Sequence, residues 1–341
     1  MSTKQTKVNS VIIIAEAGVN HDGNIDKAKA LIDSASIAGA DYVKFQTFRA
    51  EKVVTKEALK AEYQKNKIND DETQFNLLKK LELDFKSLKL LKEYCKKKKI
   101  GFLSTAFDNE SLKFLIELGV DYIKIPSGEI NNVPLLKLIA TFNKPVLIST
   151  GMSYLKEIEW TFNFLIKSGL KKDNITILHC NSEYPTPVGD VNLRAMLSLE
   201  KKFNVNVGYS DHTLGVEVST AAVALGAKVI EKHLTLDKKM SGPDHSASLD
   251  PNEFKQLVSA IRNIENAFGD GIKQPSFSEN KNRDIVRRSI VASRNIKEGE
   301  IFSDENICLK RPGTGLSPTN WENLIGKRAK RNFSENEKIE I

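Results

Sequence analysis

The chain has 341 residues, 28% of them charged and 40% hydrophobic, and its lysines and arginines exceed its aspartates and glutamates by 51 − 44 = +7. That length suits one barrel-sized domain with a small companion, or two ordinary domains, and no apolar run approaches the roughly 20 residues needed to cross a bilayer, so no membrane role is expected. Cys95, Cys180 and Cys308 are an odd and widely spaced set, which argues against a disulfide framework or a zinc knuckle and leaves reduced thiols.

Taken in chain order, the opening Met1-Ser-Thr-Lys-Gln-Thr-Lys has no apolar signal core, so a cytoplasmic protein is expected. Short β-branched runs then alternate eight times with amphipathic helical patterns between residues 11 and 270. The predicted strands are Val11 to Ala17, Tyr42 to Phe48, Gly101 to Phe107, Tyr122 to Ser127, Val146 to Thr150, Thr176 to Cys180, Val205 to Ser210 and Val229 to Thr235. Helical patterns include Ile25 to Ala38, Glu110 to Leu118 and Pro251 to Phe268, the last opened by Asp250 as cap and Pro251 in its first turn. The densest basic run, Lys96 to Lys99, ends the pattern Leu88, Leu91, Tyr94, Cys95, where cations complement the helix C-terminus and face water. No aromatic residues interleave with the basic ones, so nucleic acid is not an expected partner; an anionic metabolite is. Fully apolar strands alternating with helices imply parallel pairing, and eight units in about 250 residues predict a closed (β/α)₈ TIM barrel.

Turn-forming residues from Asp270 to Ser276 break this rhythm. The expected organisation is a barrel over 1–272, a linker over 273–284 and a small mainly β domain over 285–341, with strands at Ile290 to Ala292, Ile301 to Phe302 and Ile307 to Lys310 around the turn Lys297-Glu298-Gly299-Glu300. So short a domain makes a thin core, and it is expected to lean on a second barrel, which implies dimers.

A barrel gathers the C-terminal ends of its strands on one face. The polar residues at those ends are Glu16, Asn20 and His21; Lys44 and Gln46; Ser104 and Thr105; Lys124, Ser127 and Glu129; Ser149 and Thr150; His179, Asn181, Ser182 and Tyr184; Ser210, Asp211 and His212; Lys232 and His233. Lys44 and Lys124 interrupt apolar strands, where an ammonium is costly to bury unless a counter-charge meets it. Each either pairs with a glutamate or joins the hydroxyls of Ser104, Thr105, Ser127, Ser149 and Ser210 in a phosphate cradle. His212 and His233 are either hydrogen-bonded strand-end histidines or neutral ligands of a divalent metal with open positions. Asp211 and Glu231 beside them either orient the imidazoles or act as caps and ion pairs.

These residues also carry a resemblance. Ala-Glu-Ala-Gly-Val-Asn-His-Asp-Gly (15–23), Val-Lys-Phe-Gln-Thr-Phe (43–48), Leu-Ser-Thr-Ala-Phe-Asp (103–108), Lys-Ile-Pro-Ser-Gly-Glu (124–129), Ser-Thr-Gly-Met (149–152), His-Cys-Asn-Ser-Glu-Tyr-Pro-Thr-Pro (179–187), Gly-Tyr-Ser-Asp-His-Thr (208–213) and Ser-Gly-Pro-Asp-His (241–245) resemble the bacterial sialic acid synthases. Leu-Lys-Arg-Pro-Gly-Thr-Gly-Leu-Ser-Pro (309–318) is similar to that family's antifreeze-like (SAF) domain. The resemblance implies an N-acetylneuraminate synthase that condenses phosphoenolpyruvate with open-chain N-acetylmannosamine and water, releasing phosphate. It implies that Lys44, Thr105, Lys124, Ser127, Ser149 and Ser210 hold phosphoenolpyruvate, and that His212 and His233 hold Mn²⁺ or Mg²⁺. Glu16 is expected to stabilise a cationic centre, and Glu129 to exchange a proton with water or the new hydroxyl. Gln46, Tyr184, Asp244 and Arg311 are expected on the sugar, Arg311 from the partner's small domain in a domain-swapped homodimer.

A second reading is a legionaminic acid synthase using a 2,4-diacetamido-2,4,6-trideoxy mannose, since such enzymes share the Lys-Phe-Gln-Thr-Phe variant. A third, a non-catalytic binding protein, requires the strand-end set to be idle. The departures lie on the acceptor side: Ser182 where some members carry asparagine, Phe45 where some carry histidine, and Arg287-Arg288 where some place an aromatic.

Overall fold

Eight parallel strands close into a barrel in strictly sequential order: β1 (Ile12–Gly18), β2 (Tyr42–Thr47), β3 (Gly101–Ala106), β4 (Ile123–Ile125), β5 (Val146–Ser149), β6 (Ile175–Cys180), β7 (Asn206–Asp211) and β8 (Val229–His233), with β8 pairing back onto β1. The computed structural model describes residues 10–59 and 73–341. Every strand predicted for the barrel is present. The fourth is the shortest relative to expectation, because Pro126 cannot donate to a ladder and the chain leaves the sheet there as a short 3₁₀ turn, Ser127–Glu129.

The helices begin and end where local chemistry dictates. The Asn24 side chain accepts from the amides of Asp26 and Lys27 to open Ile25–Ala38, and Gly39, at φ 86°, closes it. Asp250 caps Pro251–Ala267 in a reciprocal capping box with Glu253. That helix buries Phe254, Leu257, Val258 and Ile261, while Phe85–Lys98 buries Leu88, Leu91 and Cys95 and leaves its lysine-rich end in water. Among the described residues, the connection from β2 to β3 carries the helices Ala50–Val53 and Gln74–Leu81. The second packs Leu77 and Leu81 against Val19 and Phe48 in a small apolar cluster separate from the barrel core. Among the described residues, no helix is long and apolar enough to cross a membrane.

The chain divides into two compact units, Met1–Phe268 and Gly269–Ile341. The expected linker over 273–284 is largely helical instead: Phe277–Val286 forms a helix opened by a Ser276/Glu279 capping box, with no residue buried. No glycine or proline interrupts that stretch, so the capping box carries the helix past the turn-rich start. In the second unit β9 (Ser289–Ala292) pairs antiparallel with β10 (Ile307–Lys310). Ile301 makes only an isolated bridge, to Arg328, so the short strand expected at Ile301 to Phe302 does not form. Phe302 instead joins Ile290, Ile296, Ile307, Leu324 and Phe333 in this unit's own core.

Candidate active site at the barrel mouth

Successive residues of a strand point to opposite faces, and the register decides which strand-end residues meet. Glu16 stands beside Lys44 on β2 and His233 on β8, Gln46 beside Thr105, Thr105 beside Lys124, Cys180 beside Ser210, and Ser210 beside Glu231. These residues share the inward parity and line one cavity of about 410 Å³, within the usual range for small-molecule sites. Ser127, Ser149, Tyr184 and His212 line it as well. The opposite parity carries other polar residues away from the cavity. The Ser104 and Thr47 hydroxyls bond each other at 2.7 Å, and His179 Nε2 bonds the Val191 carbonyl at 2.8 Å. Lys232 pairs with Asp211 at 2.9 Å, both fully buried.

Both alternatives for the lysines meet here, since they are paired with glutamates and still face the cavity. Lys44 Nζ lies 2.8 Å from Glu16 Oε2 and 3.7 Å from Glu231 Oε2, and donates to Thr105 Oγ1 at 2.8 Å. Lys124 Nζ lies 2.7 Å from Glu231 Oε1, which also accepts from Ser210 Oγ at 3.0 Å. Burial alone would raise the Glu231 carboxyl, but Lys124 and Lys44 outweigh it and hold the group well below the usual carboxylate range. Glu16 differs. Burial pushes it up to about 7, because its share of Lys44 and the nearby charge of Glu231 leave it undercompensated. Burial also lowers Lys124. Two ammoniums thus face one firmly ionised carboxylate and one that titrates near neutrality, a balance that favours an incoming anion. Ser149 Oγ, buried in the lining, has no hydrogen-bond partner among the described residues. Ser127 Oγ accepts from the Gly151 amide at 2.9 Å, an approach only glycine permits, since a Cβ there would lie 2.2 Å from Ser182 Oγ.

The histidines adjoin one another, ring centroids 5.4 Å apart, with Tyr184 stacked on His212 at 4.1 Å. His212 Nδ1 faces the Asn181 carbonyl and so carries its proton, which leaves the Nε2 lone pair available. Burial lowers both imidazoles, His212 to about 4 and His233 well below its ordinary value, and keeps them neutral at physiological pH. His233 Nδ1 is buried, has no hydrogen bond among the described residues and lies 3.9 Å from Asp244 Oδ2. Two neutral nitrogens, one of them orphaned, fit a divalent ion. No set of three or more metal-ligating side chains gathers among the described residues, so such an ion would complete its shell with water and substrate oxygens.

Asp211 does not orient His212. It accepts from the Thr213 amide and hydroxyl and from the Ser219 hydroxyl while pairing with Lys232, so it ties the turn after β7. Glu231, set aside in the sequence as an acceptor or ion pair beside the second histidine, occupies the centre of the lysine network. Its spacing of two from His233 was the available signal. Glu129 lies on the turn after β4, accepts from Asn132 at 2.5 Å, and is not part of the cavity wall. Asp244 lines a smaller recess that shares Gln46, Tyr184 and His233 with the main cavity. Arg311 is exposed in the second unit. Gln74, Phe107 and Met152 also line the main cavity from loops and helix ends, beyond the reach of strand periodicity.

The model of the NeuB family matches residues 31–273 and that of the SAF domain residues 287–339. The chain belongs to the NeuB family. It is 54% identical over 332 residues to the N,N'-diacetyllegionaminic acid synthase of Campylobacter jejuni subsp. jejuni serotype O:2, covering 97% of this chain and 99% of that protein. The enzyme of the same name from Legionella pneumophila is 48% identical over 324 residues, 94% of this chain and 91% of its own. Among solved structures, the N-acetylneuraminic acid (sialic acid) synthetase of Leptospira borgpetersenii superposes with a TM-score of 0.70 at 36% identity, covering 80% of this chain and 90% of that one. As a NeuB-family member with a C-terminal SAF domain, the chain is an enzyme of the sugar-acid synthase class.

Proposed function

We propose that this NeuB-family enzyme condenses phosphoenolpyruvate with the open-chain aldehyde of 2,4-diacetamido-2,4,6-trideoxymannose and water, giving N,N'-diacetyllegionaminate and phosphate. The observation that carries this reading is the full-length identity of 54% to a diacetyllegionaminic acid synthase, against 36% to a sialic acid synthetase. It displaces N-acetylneuraminate synthase, the first expectation from the sequence.

The site chemistry supports such a condensation. Phosphoenolpyruvate is a trianion at neutral pH, and Lys44, Lys124, Thr105, Ser127, Ser149 and Ser210 supply ammoniums and hydroxyls for its phosphate and carboxylate. The π electrons of its C2=C3 bond form the new bond to the aldehyde carbon, whose oxygen takes up a proton. Water adds to the cationic C2 and gives up one proton; the resulting C2 hydroxyl then passes its remaining proton to the departing phosphate as the C–O bond breaks, leaving the 2-keto acid. Glu16, ionised beside Lys44, stabilises that cation, and its titration close to neutrality suits it to carry a proton. Glu129, expected as a second proton carrier, stands on the turn after β4 outside the cavity wall and is assigned no step. Mn²⁺ or Mg²⁺ on His212 and His233 supplies Lewis acidity toward the aldehyde oxygen when bound. The active assembly in this reading is a cytoplasmic, domain-swapped homodimer in which Arg311 of a second copy joins Gln46, Tyr184 and Asp244 at the sugar.

Phosphate release from phosphoenolpyruvate, followed with each sugar separately, tests the acceptor. The expected result is a kcat/KM at least about tenfold higher for the diacetamido sugar; an equal or greater value for N-acetylmannosamine overturns the assignment.

A further inference from the structure

Beside the main cavity lies a recess of about 100 Å³ whose wall is aliphatic: Val19, Leu77, Leu78, Leu81 and Pro243. Val19, Leu77 and Leu81 belong to the satellite cluster that the helix Gln74–Leu81 forms with the ends of β1 and β2, and Leu78 packs against it. Three of the five wall residues, Leu77, Leu78 and Leu81, therefore come from the insertion between β2 and β3. The rim is polar, formed by Gln46, Asp244, Tyr184 and His233. Of these, Gln46, Tyr184 and His233 also line the main cavity, so the recess adjoins the half of the site that carries the histidine pair.

An aliphatic floor under a rim that offers both an amide and a carboxylate matches one substituent chemistry. A hydroxymethyl or hydroxyl group would leave its oxygen against leucines, a desolvation cost with no return. A bare methyl would make no use of the rim. An acetamido group uses both: its N–H can donate to a carboxylate, its carbonyl can accept from an amide, and its methyl fills an apolar floor. The volume also fits. At about 100 Å³ the recess is a fraction of the main cavity's 410 Å³, the scale of one substituent of a sugar.

We infer that this recess binds an acetamido group of the acceptor sugar and that Leu78, with Val19, Leu77 and Leu81, sets acceptor preference. The inference rests on the reading of the protein as a synthase for acetamido sugars, and it concerns the 2-acetamido or the 4-acetamido group.

Leu78 is half-buried, which makes it the least disruptive position to vary. Leu78→Phe, which fills the recess, and Leu78→Ala, which widens it, are compared with the parent in the metal-loaded enzyme after equal Tm values have established folding. Leu78→Phe is expected to raise the acceptor KM about tenfold and Leu78→Ala about threefold, with the KM of phosphoenolpyruvate unchanged within twofold. A rise confined to the diacetamido sugar places the 4-acetamido group in the recess. A rise shared with N-acetylmannosamine places the 2-acetamido group there. Acceptor KM values unmoved in both folded variants, or a parallel rise in the KM of phosphoenolpyruvate, overturn the inference. Saturation-transfer NMR on the acetyl methyl protons of each sugar reads the same contact without turnover. Loss of methyl saturation in Leu78→Phe supports the recess even if the parent turns over neither sugar, which would refute only the proposed reaction.

Discussion

Glu231 has ammonium groups on two sides and a serine hydroxyl on a third, all in the barrel interior. Removing one partner of a buried ion network leaves the others uncompensated, at a cost of about 3–5 kcal/mol. Glu231→Gln is therefore expected to lower the Tm by about 10 °C, read by calorimetry, and an unchanged Tm contradicts the network. Glu16 makes a prediction of opposite character. Its folded-state value, raised to about 7 from the usual 4.5 by burial, means that the folded chain binds more protons than the unfolded one between those values. Stability from this group is full below pH 4.5 and is lost as pH rises through 7. Glu16→Gln should flatten the fall in unfolding free energy between pH 5 and 8, measured by urea titration. A slope identical to that of the parent would show that Glu16 does not titrate there.

At the scale of the element, β8 alternates function with structure residue by residue. Glu231 and His233 line the cavity, whereas Lys232 points outward to Asp211 with no solvent exposure. Two buried lysines of opposite parity, Lys232 on β8 and Lys124 on β4, should therefore fail in different ways. Lys232→Met is expected to cost about 3 kcal/mol of stability while leaving the KM of phosphoenolpyruvate within twofold. Lys124→Ala is expected to reduce kcat/KM at least about 30-fold, the effect of losing a buried charged contact; the reverse pattern would mean that the strand parity is misassigned.

This alternation also marks how much was legible in the sequence. The eight strands were, because β-branched runs between amphipathic helices imply a parallel barrel, and so was the list of polar strand ends. Period-two alternation separates Ser104, His179, Asp211 and Lys232 from Thr105, Ser210 and His233, although the list of polar strand ends holds them all together. The recess was out of reach, since nothing in the sequence marks Leu77 and Leu78 until tertiary packing sets them beside Val19. The helix within the supposed linker was hidden by turn-forming residues just ahead of its Ser276 cap.

For the whole molecule, the two units each carry their own core, and the proposed reaction draws on both. If Arg311 acts on a second copy's barrel, mixing His233→Ala with Arg311→Ala and allowing subunit exchange should restore about a quarter of parental activity, since random pairing makes half of the dimers mixed and each mixed dimer carries one intact site. No recovery after verified exchange contradicts action in trans. The central claim, an acetamido-sugar synthase of the diacetyllegionaminate kind, is tested most directly by competition. The enzyme is given phosphoenolpyruvate with equimolar N-acetylmannosamine and 2,4-diacetamido-2,4,6-trideoxymannose, and the sugar acids formed are separated by mass. N,N'-diacetyllegionaminate is expected to predominate by at least about tenfold; a product pool dominated by N-acetylneuraminate rules the assignment out.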